Sequence, residues 1–347
     1  MKRILISLML VLILVFGITA CNSEKTADQG ASSDASSTVS TPSEPEVEPV
    51  DNILSVTQLP LQAGTGGMSY VITLKNEGFI IIDGGTGGNY YNINSQPLFN
   101  YLYQHTTKGE KPVILGWFIT HFHSDHVQNT AEFLIEQGDR LDVRAFYINS
   151  PGKNNYEDRQ TEMEALVDTA MAKFPNAEQH KLQKDEVIKF PHCDVDVLLT
   201  SAQLNASRST KPNNISAVFQ MRFDTGKTFF VTGDTDHNRL IQLFDEKSEY
   251  YRPLEDLKCD VYQAPHHGRS LATSSEAMKL RDLYKKMDIK VVLFPVDETN
   301  WGKEPFYNDK VWYENYYLIN DSGAEVFHHG KAVTVNMEDL TTEIGYY

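Results

Sequence analysis

Three imidazoles and a carboxylate fall within six residues at His121, His123, Asp125 and His126, in the segment Thr120-His-Phe-His-Ser-Asp-His126. Neutral ring nitrogen and carboxylate oxygen are the donors that zinc and related divalent ions accept, and manganese and iron take the same set. Side chains two apart on an extended segment point the same way, so His121 and His123 can grip one ion while Asp125 and His126 turn toward a second. A divalent ion lowers the pKa of bound water toward roughly 7 and so supplies hydroxide at neutral pH. The bland alternative, a polar surface turn, fits poorly with the apolar run Val113–Ile119 that leads into the segment. The end of a buried strand is a rigid mount for metal ligands.

Three further stretches stand in order around this segment: Gly67-Met-Ser-Tyr-Val-Ile-Thr-Leu-Lys-Asn-Glu-Gly-Phe-Ile-Ile-Ile-Asp-Gly-Gly85 before it, then Lys227-Thr-Phe-Phe-Val-Thr-Gly-Asp234 and Asp260-Val-Tyr-Gln-Ala-Pro-His-His-Gly268 after it. Together the four resemble the ordered motifs of the metallo-β-lactamase superfamily of metallohydrolases, over roughly residues 51 to 347. Asn213-Asn-Ile-Ser-Ala-Val218, followed by Thr-Gly-Asp234 and His-His-Gly268, is closest to the branch that contains the hydrolase domain of the DNA-uptake protein ComEC. The resemblance implies an α+β fold, the αββα sandwich of two mixed sheets flanked by helices. It also implies two divalent ions, zinc before manganese or iron, with Asp83 beneath the site and Asp234 bridging. The ligand set it implies is His121, His123, Asp125, His126, Asp234 and His266. Asp125 and His267 take the catalytic roles, although the division between His266 and His267 stays open.

Two positions depart from the general pattern of the superfamily. Asn213, Asn214 and Ser216 occupy the stretch where a third histidine would serve the first metal, and Lys303 and Glu304 stand where a late histidine is looked for, leaving Glu304 as a substitute ligand. The remaining histidines read as ordinary. His237 opens a helical stretch, His105, His180 and His192 read as surface residues without a partner, and His328 and His329 read as solvated in a late hairpin.

Strands are expected over 70–74, 79–82, 113–119, 143–148, 195–199, 229–232 and 291–294, and helices over 128–137, 158–173, 238–247 and 275–287. Upstream of them the chain is of another character. Lys2 and Arg3 precede the apolar run Ile4–Phe16, and Ile18-Thr-Ala-Cys21 resembles the lipobox of a bacterial lipoprotein signal peptide. By that resemblance residues 1–20 are removed, Cys21 carries lipid, and the protein is held on the extracytoplasmic side of a cell membrane. Residues 22–50, rich in Ser, Thr, Ala, Glu and Pro, read as a disordered tether spanning about 30 Å, and residues 51–347 as one hydrolase domain.

Charge limits the partners. With 47 Asp and Glu against 31 Lys and Arg the formal net is −16, and no basic cluster is present, so no stable nucleic-acid complex is expected. Arg208, Lys211 and Arg269 form a candidate rim for a single phosphate. The aromatic residues between Trp301 and Tyr317 read as packing before substrate stacking, and Cys193 and Cys259 as buried thiols or a disulfide. The resulting expectation is a membrane-anchored, metal-dependent hydrolase of phosphoesters or phosphodiesters, in small molecules, nucleic-acid fragments or cell-wall polymers. A lactonase or β-lactamase acting on C–O or C–N bonds and a metal-binding lipoprotein without catalysis are the alternatives. Oligomeric state is not legible.

Overall fold

The structure, a computed structural model, describes residues 50–60, 67–87, 97–150, 158–201, 215–269, 273–296, 301, 313–328 and 331–345. The signal-peptide and tether readings, and the positions Asn213, Asn214, Lys303, Glu304, Arg208, Lys211 and His329, lie outside them. The first half of the chain forms β1 (Leu54–Gln58), β2 (Ser69–Leu74), β3 (Phe79–Asp83), α1 (Pro97–Gln104), β4 (Val113–Ile119), α2 (Ser124–Gln137), β5 (Asp142–Val143), β6 (Ala145–Ile148), α3 (Asp158–Met171) and β7 (Glu178–Lys181). The second half forms β8 (Val187–Phe190), β9 (Cys193–Leu199), β10 (Val218–Phe223), β11 (Thr228–Val231), α4 (His237–Phe244), α5 (Leu254–Leu257), β12 (Val261–Gln263), α6 (Ser274–Met287), β13 (Val291–Leu293), α7 (Tyr313–Tyr316), β14 (Glu325–Phe327), β15 (Ala332–Asn336) and β16 (Thr342–Gly345).

These strands make two mixed sheets. One runs β16-β15-β1-β2-β3-β4-β6-β7 with β5 beside β4, and the other β14-β13-β12-β11-β10-β9-β8. The pairs β3–β4 and β11–β12 are parallel, so in each the carboxyl ends lie at the same edge.

Alternate residues of the central strands belong to different apolar layers. Ile80 and Ile82 of β3 face the core between the sheets, with Phe118, Val195, Phe219, Phe229 and Val261. Phe79 and Ile81 face the other way, into a layer completed by Tyr101 of α1, Phe133 of α2 and Val167 of α3. On the far sheet Phe230, Tyr262 and Val292 meet Leu240 of α4 and Leu280 and Tyr284 of α6. Three apolar layers between four layers of structure are the expected αββα sandwich. Strands buried on both faces read as continuous hydrophobic runs, which made them visible in the sequence.

Several boundaries move for local reasons. The expected strand 143–148 divides at Arg144 into β5 and β6, which both pair in parallel with β4. α2 starts at Ser124, inside the histidine segment, because extended His123 (φ −78°, ψ 147°) is its N-cap residue, so Asp125 and His126 sit on its first turn rather than in a loop. Cys193 and Cys259 are free and buried, not disulfide-bonded. Trp301 and Tyr317 pack against the layer between the second sheet and its helices, so packing explains both.

Phe118 ties the central layer together. It is fully buried, stacks on Tyr147 at 4.6 Å and lies 5.2 Å from Phe219 of the other sheet. Phe118→Ala is expected to lower stability by about 3–5 kcal/mol, read as a reduced denaturant midpoint with an unchanged slope.

Candidate metal centre

Four strand ends converge on one place. β3 ends at Asp83, β4 runs into Thr120 and His121, β11 into Thr232-Gly-Asp234, and β12 into Ala264-Pro-His-His267. Across the sheets Ala217 N donates to Thr120 O at 2.9 Å, and between the neighbouring ends of β11 and β12 His266 N donates to Gly233 O at 3.1 Å. The backbone is forced into unusual shapes to make this convergence. Gly233 has φ +55°, and a Cβ there would lie 2.9 Å from Cβ of Ser216. His266 and His267 have φ 49° and 55°, followed by Gly268 at φ 80°. Two successive non-glycine residues in the left-handed region cost roughly 1–2 kcal/mol each, and such strain concentrates at functional sites.

Hydrogen bonds fix which nitrogen of each ring carries the proton. The carbonyl of Pro295 can only accept, so His267 donates to it from Nδ1 at 2.9 Å. His126 donates from Nδ1 to Asp83 Oδ2 at 2.7 Å. Thr120 donates to the same carboxylate from its backbone N at 2.8 Å and from Oγ1 at 2.6 Å, which leaves Oγ1 to accept from Nδ1 of His121 at 3.1 Å. With Nδ1 committed in all three rings, Nε2 presents a lone pair.

Those lone pairs point at Asp234. His126 Nε2 lies 3.1 Å and His267 Nε2 3.5 Å from Oδ1, whereas His121 Nε2 lies 3.8 Å and His266 Nε2 4.0 Å from Oδ2. Asp125 Oδ2 is 3.1 Å from His267 Nε2. Nε2 of His121, His126 and His267 and Oδ1 of Asp234 are buried and make no hydrogen bond. Donor atoms within 4.8 Å of one another form two sets that share Asp234: Asp125, His126, Asp234 and His267, and His121, His123 and Asp234. A third grouping adds Asp83 to His121 and His126, but that carboxylate is occupied by Thr120 and His126 and orients the ligands instead. Buried lone pairs without donors, aimed at a buried carboxylate, fit a divalent cation.

The titration behaviour expresses the same crowding. Burial drives His121 well below the usual histidine range and His266 down to about 4. At His267 burial also opposes the charged ring, but Asp234 and Asp125 outweigh it and raise the pKa to about 9. His126, buried between Asp234 and Asp83, is raised well above its ordinary value by the same competition. Burial opposes ionisation of Asp234, yet His126 and His267 hold it well below the carboxylate range.

His121, His123, Asp125, His126, Asp234, His266 and His267 are thus all brought together. His267 falls in the candidate grouping of Asp125, His126 and Asp234, because the left-handed turn carries its Nε2 to 3.5 Å from Oδ1 of Asp234. His266 stands outside both sets, beside Oδ2. Where a third histidine was looked for, Ser216 accepts from Asp234 N at 3.1 Å, a positioning contact. Thr120 and Gln263 carried no signal in the sequence. Gln263 Oε1 accepts from Thr232 N and Gly233 N, both at 2.8 Å, and sets the turn that delivers Asp234.

The outlying histidines have partners after all. His180 pairs with Glu186 at 2.8 Å, His192 with Asp224 at 2.6 Å, His237 with Glu276 at 3.2 Å, and His105 Nδ1 meets Tyr101 O at 2.8 Å. His328 stacks on Trp301 at 3.6 Å rather than standing solvated.

No family model matches the chain and no curated protein matches it. Among solved structures it is similar to the metallo-β-lactamase fold protein YhfI from Bacillus subtilis, with 10% identity, TM-score 0.47 and coverage of 83% of this chain and 100% of that one. Unliganded yeast PDE1 is similar at 13% identity and TM-score 0.47, over 81% and 99% of the two chains. The zinc-bound PqqB from Methylobacterium extorquens is similar at 11% identity and TM-score 0.46, over 80% and 99%.

Asp83→Asn is expected to weaken divalent-ion binding about 10- to 100-fold, measured by calorimetric titration of the metal-free protein with zinc. The raised His267 pKa sets a pH signature. A group whose pKa is higher folded than unfolded stabilises the fold fully below its unfolded value of roughly 6.5. That contribution is lost as pH rises through about 9. The metal-free protein should therefore lose stability across this window, and metal uptake should release protons at neutral pH. Denaturant midpoints with and without chelator, and calorimetry in buffers of different ionisation enthalpy, check both.

Proposed function

We propose that this chain is a dinuclear metallohydrolase of the metallo-β-lactamase superfamily, in its ComEC-like branch, cleaving phosphoester or phosphodiester bonds. The observation that carries the reading is Asp234, whose two carboxylate oxygens face two different ligand sets. A pair of divalent ions, zinc foremost, would lower the pKa of water and act as Lewis acids on a phosphoryl oxygen. The chain's own groups do the rest. Asp83 and Thr120 hold the rings of His126 and His121 with Nε2 inward. Asp125, on the side of the site that opens to a cleft, orients the water. His266, outside both sets and kept neutral at pH 7 by burial, could accept a proton from the attacking water rather than donate one to the leaving oxygen.

The same proposal places the domain outside the cytoplasm, tethered through lipid on Cys21. Support comes from Lys2, Arg3, the apolar run and Ile18-Thr-Ala-Cys21. Among the described residues no helix is long and apolar enough to cross a membrane. The net charge of −16 favours small or singly charged esters over a stable nucleic-acid complex.

Purified protein loaded with zinc or manganese is expected to turn over a chromogenic phosphodiester and to leave a cephalosporin intact, and His123→Ala should bring turnover to background while the fold survives. Cephalosporin cleavage would reassign the bond, and metal uptake without either activity would leave a binding lipoprotein. An unchanged rate in His123→Ala would reject the site.

A further inference from the structure

A cleft of about 410 Å³ opens on His123 and Asp125 and is walled by Phe122, Gln128, Gln160, Glu162 and Met163. Gln160 lies on the first turn of α3 and is 2% exposed, and among the described residues neither its Nε2 nor its Oε1 has a hydrogen-bond partner. The neighbouring amide behaves differently: Gln128 Nε2 donates to Glu132 Oε1 at 2.9 Å. A carboxamide buried with both ends unpaired destabilises the free protein, because the water it gave up has not been replaced. Unpaired groups of this kind are rare and call for an explanation, and a ligand that supplies both partners is one. Among the described residues the walls also carry the carboxylates of Asp125 and Glu162 and no Lys or Arg.

Resting on the hydrolase reading above, we infer that Gln160 is a specificity-determining residue, whose carboxamide receives an uncharged substituent of a phosphodiester, one that presents both a hydrogen-bond donor and an acceptor. Amides, imides and the edges of nucleobases have that pattern. Glu162 adds a second filter, since a carboxylate in the cleft wall repels any substrate bearing charge beyond the single one of a diester. A site built to hydrogen-bond its substrate discriminates strongly against an analogue lacking those groups, because the buried amide is then left unpaired.

The test compares three esters that all release p-nitrophenolate: the p-nitrophenyl ester of thymidine monophosphate, whose imide offers donor and acceptor; bis(p-nitrophenyl) phosphate, which offers no donor; and p-nitrophenyl phosphate, a dianion. The full-length metal-loaded protein is compared with Gln160→Met, which keeps the shape without the amide, and with Glu162→Gln. Gln160→Met should lower kcat/KM for the thymidine ester about 10- to 100-fold, leave bis(p-nitrophenyl) phosphate unchanged, and keep or raise the thermal midpoint. Glu162→Gln should improve use of the dianion. Equal losses on both diesters, no loss on either, or a lowered midpoint in Gln160→Met would show a structural amide and overturn the inference alone. A wild-type protein inert toward all three esters overturns the hydrolase reading and the inference with it.

Discussion

The lone pairs of three buried imidazoles converge on a buried carboxylate, and the rest of the site follows from that. Once Nδ1 of His121, His126 and His267 is committed to Thr120, Asp83 and the Pro295 carbonyl, Nε2 of each has nowhere to find a donor except from outside the polypeptide. Something positive must enter. Without metal, Asp234 and its neighbouring carboxylates favour a proton at His126 and His267, whose pKa values are raised, whereas burial keeps His121 neutral. A divalent ion satisfies the same lone pairs with more charge and a fixed geometry, so metal and proton compete for one set of atoms. The burial that makes this crowding costly for a free polypeptide also makes the site selective for cations.

Such convergence needs rigid mounts, and the sandwich supplies them in pairs. β3 and β4 deliver Asp83 and the histidine segment from one sheet, and β11 and β12 deliver Asp234 and the His266–His267 turn from the other. Each pair is parallel, so functional side chains gather at one edge without a long loop. The strain at His266 and His267 is tolerated because strands buried on both faces hold the turns from below. Gln263 serves the same end, replacing ladder hydrogen bonds that the turn at Thr232 and Gly233 gives up.

This division of labour explains what could be read from the sequence. Doubly buried strands such as Phe79–Asp83 and Val113–Ile119 announce themselves as apolar runs, and the histidine segment by its donor types. The solvent-facing β7, Glu-Gln-His-Lys, has no apolar pattern and pairs only because β6 lies beside it. β8 and the closing strands β15 and β16 were equally silent, since their partners are set by topology rather than by local residue preference. The roles of His266 and His267 were not separable, because they depend on two left-handed backbone residues that no side-chain pattern specifies. Partners such as Glu186 for His180 and Asp224 for His192 depend on which turns lie side by side in the fold. Thr120 and Gln160 are ordinary residue types, and only burial and the absence or presence of a partner distinguish them.

Charge acts on a substrate at two ranges. The protein as a whole is strongly acidic, at −16, and repels polyanions at distances up to about one Debye length, some 8 Å in physiological salt. With the proposed pair of divalent ions bound, the centre would have the opposite sign, because their charge exceeds that of Asp125 and Asp234. A singly charged diester passes the outer field at little cost and meets the attraction only inside the cleft, whereas a polymer must bring many phosphates into the repulsive zone to place one at the ions. On the proposed reading, selection by net charge would precede selection by hydrogen bonding. On that same reading, an acidic exterior around an ion-loaded floor would favour short or isolated phosphodiesters over polynucleotide.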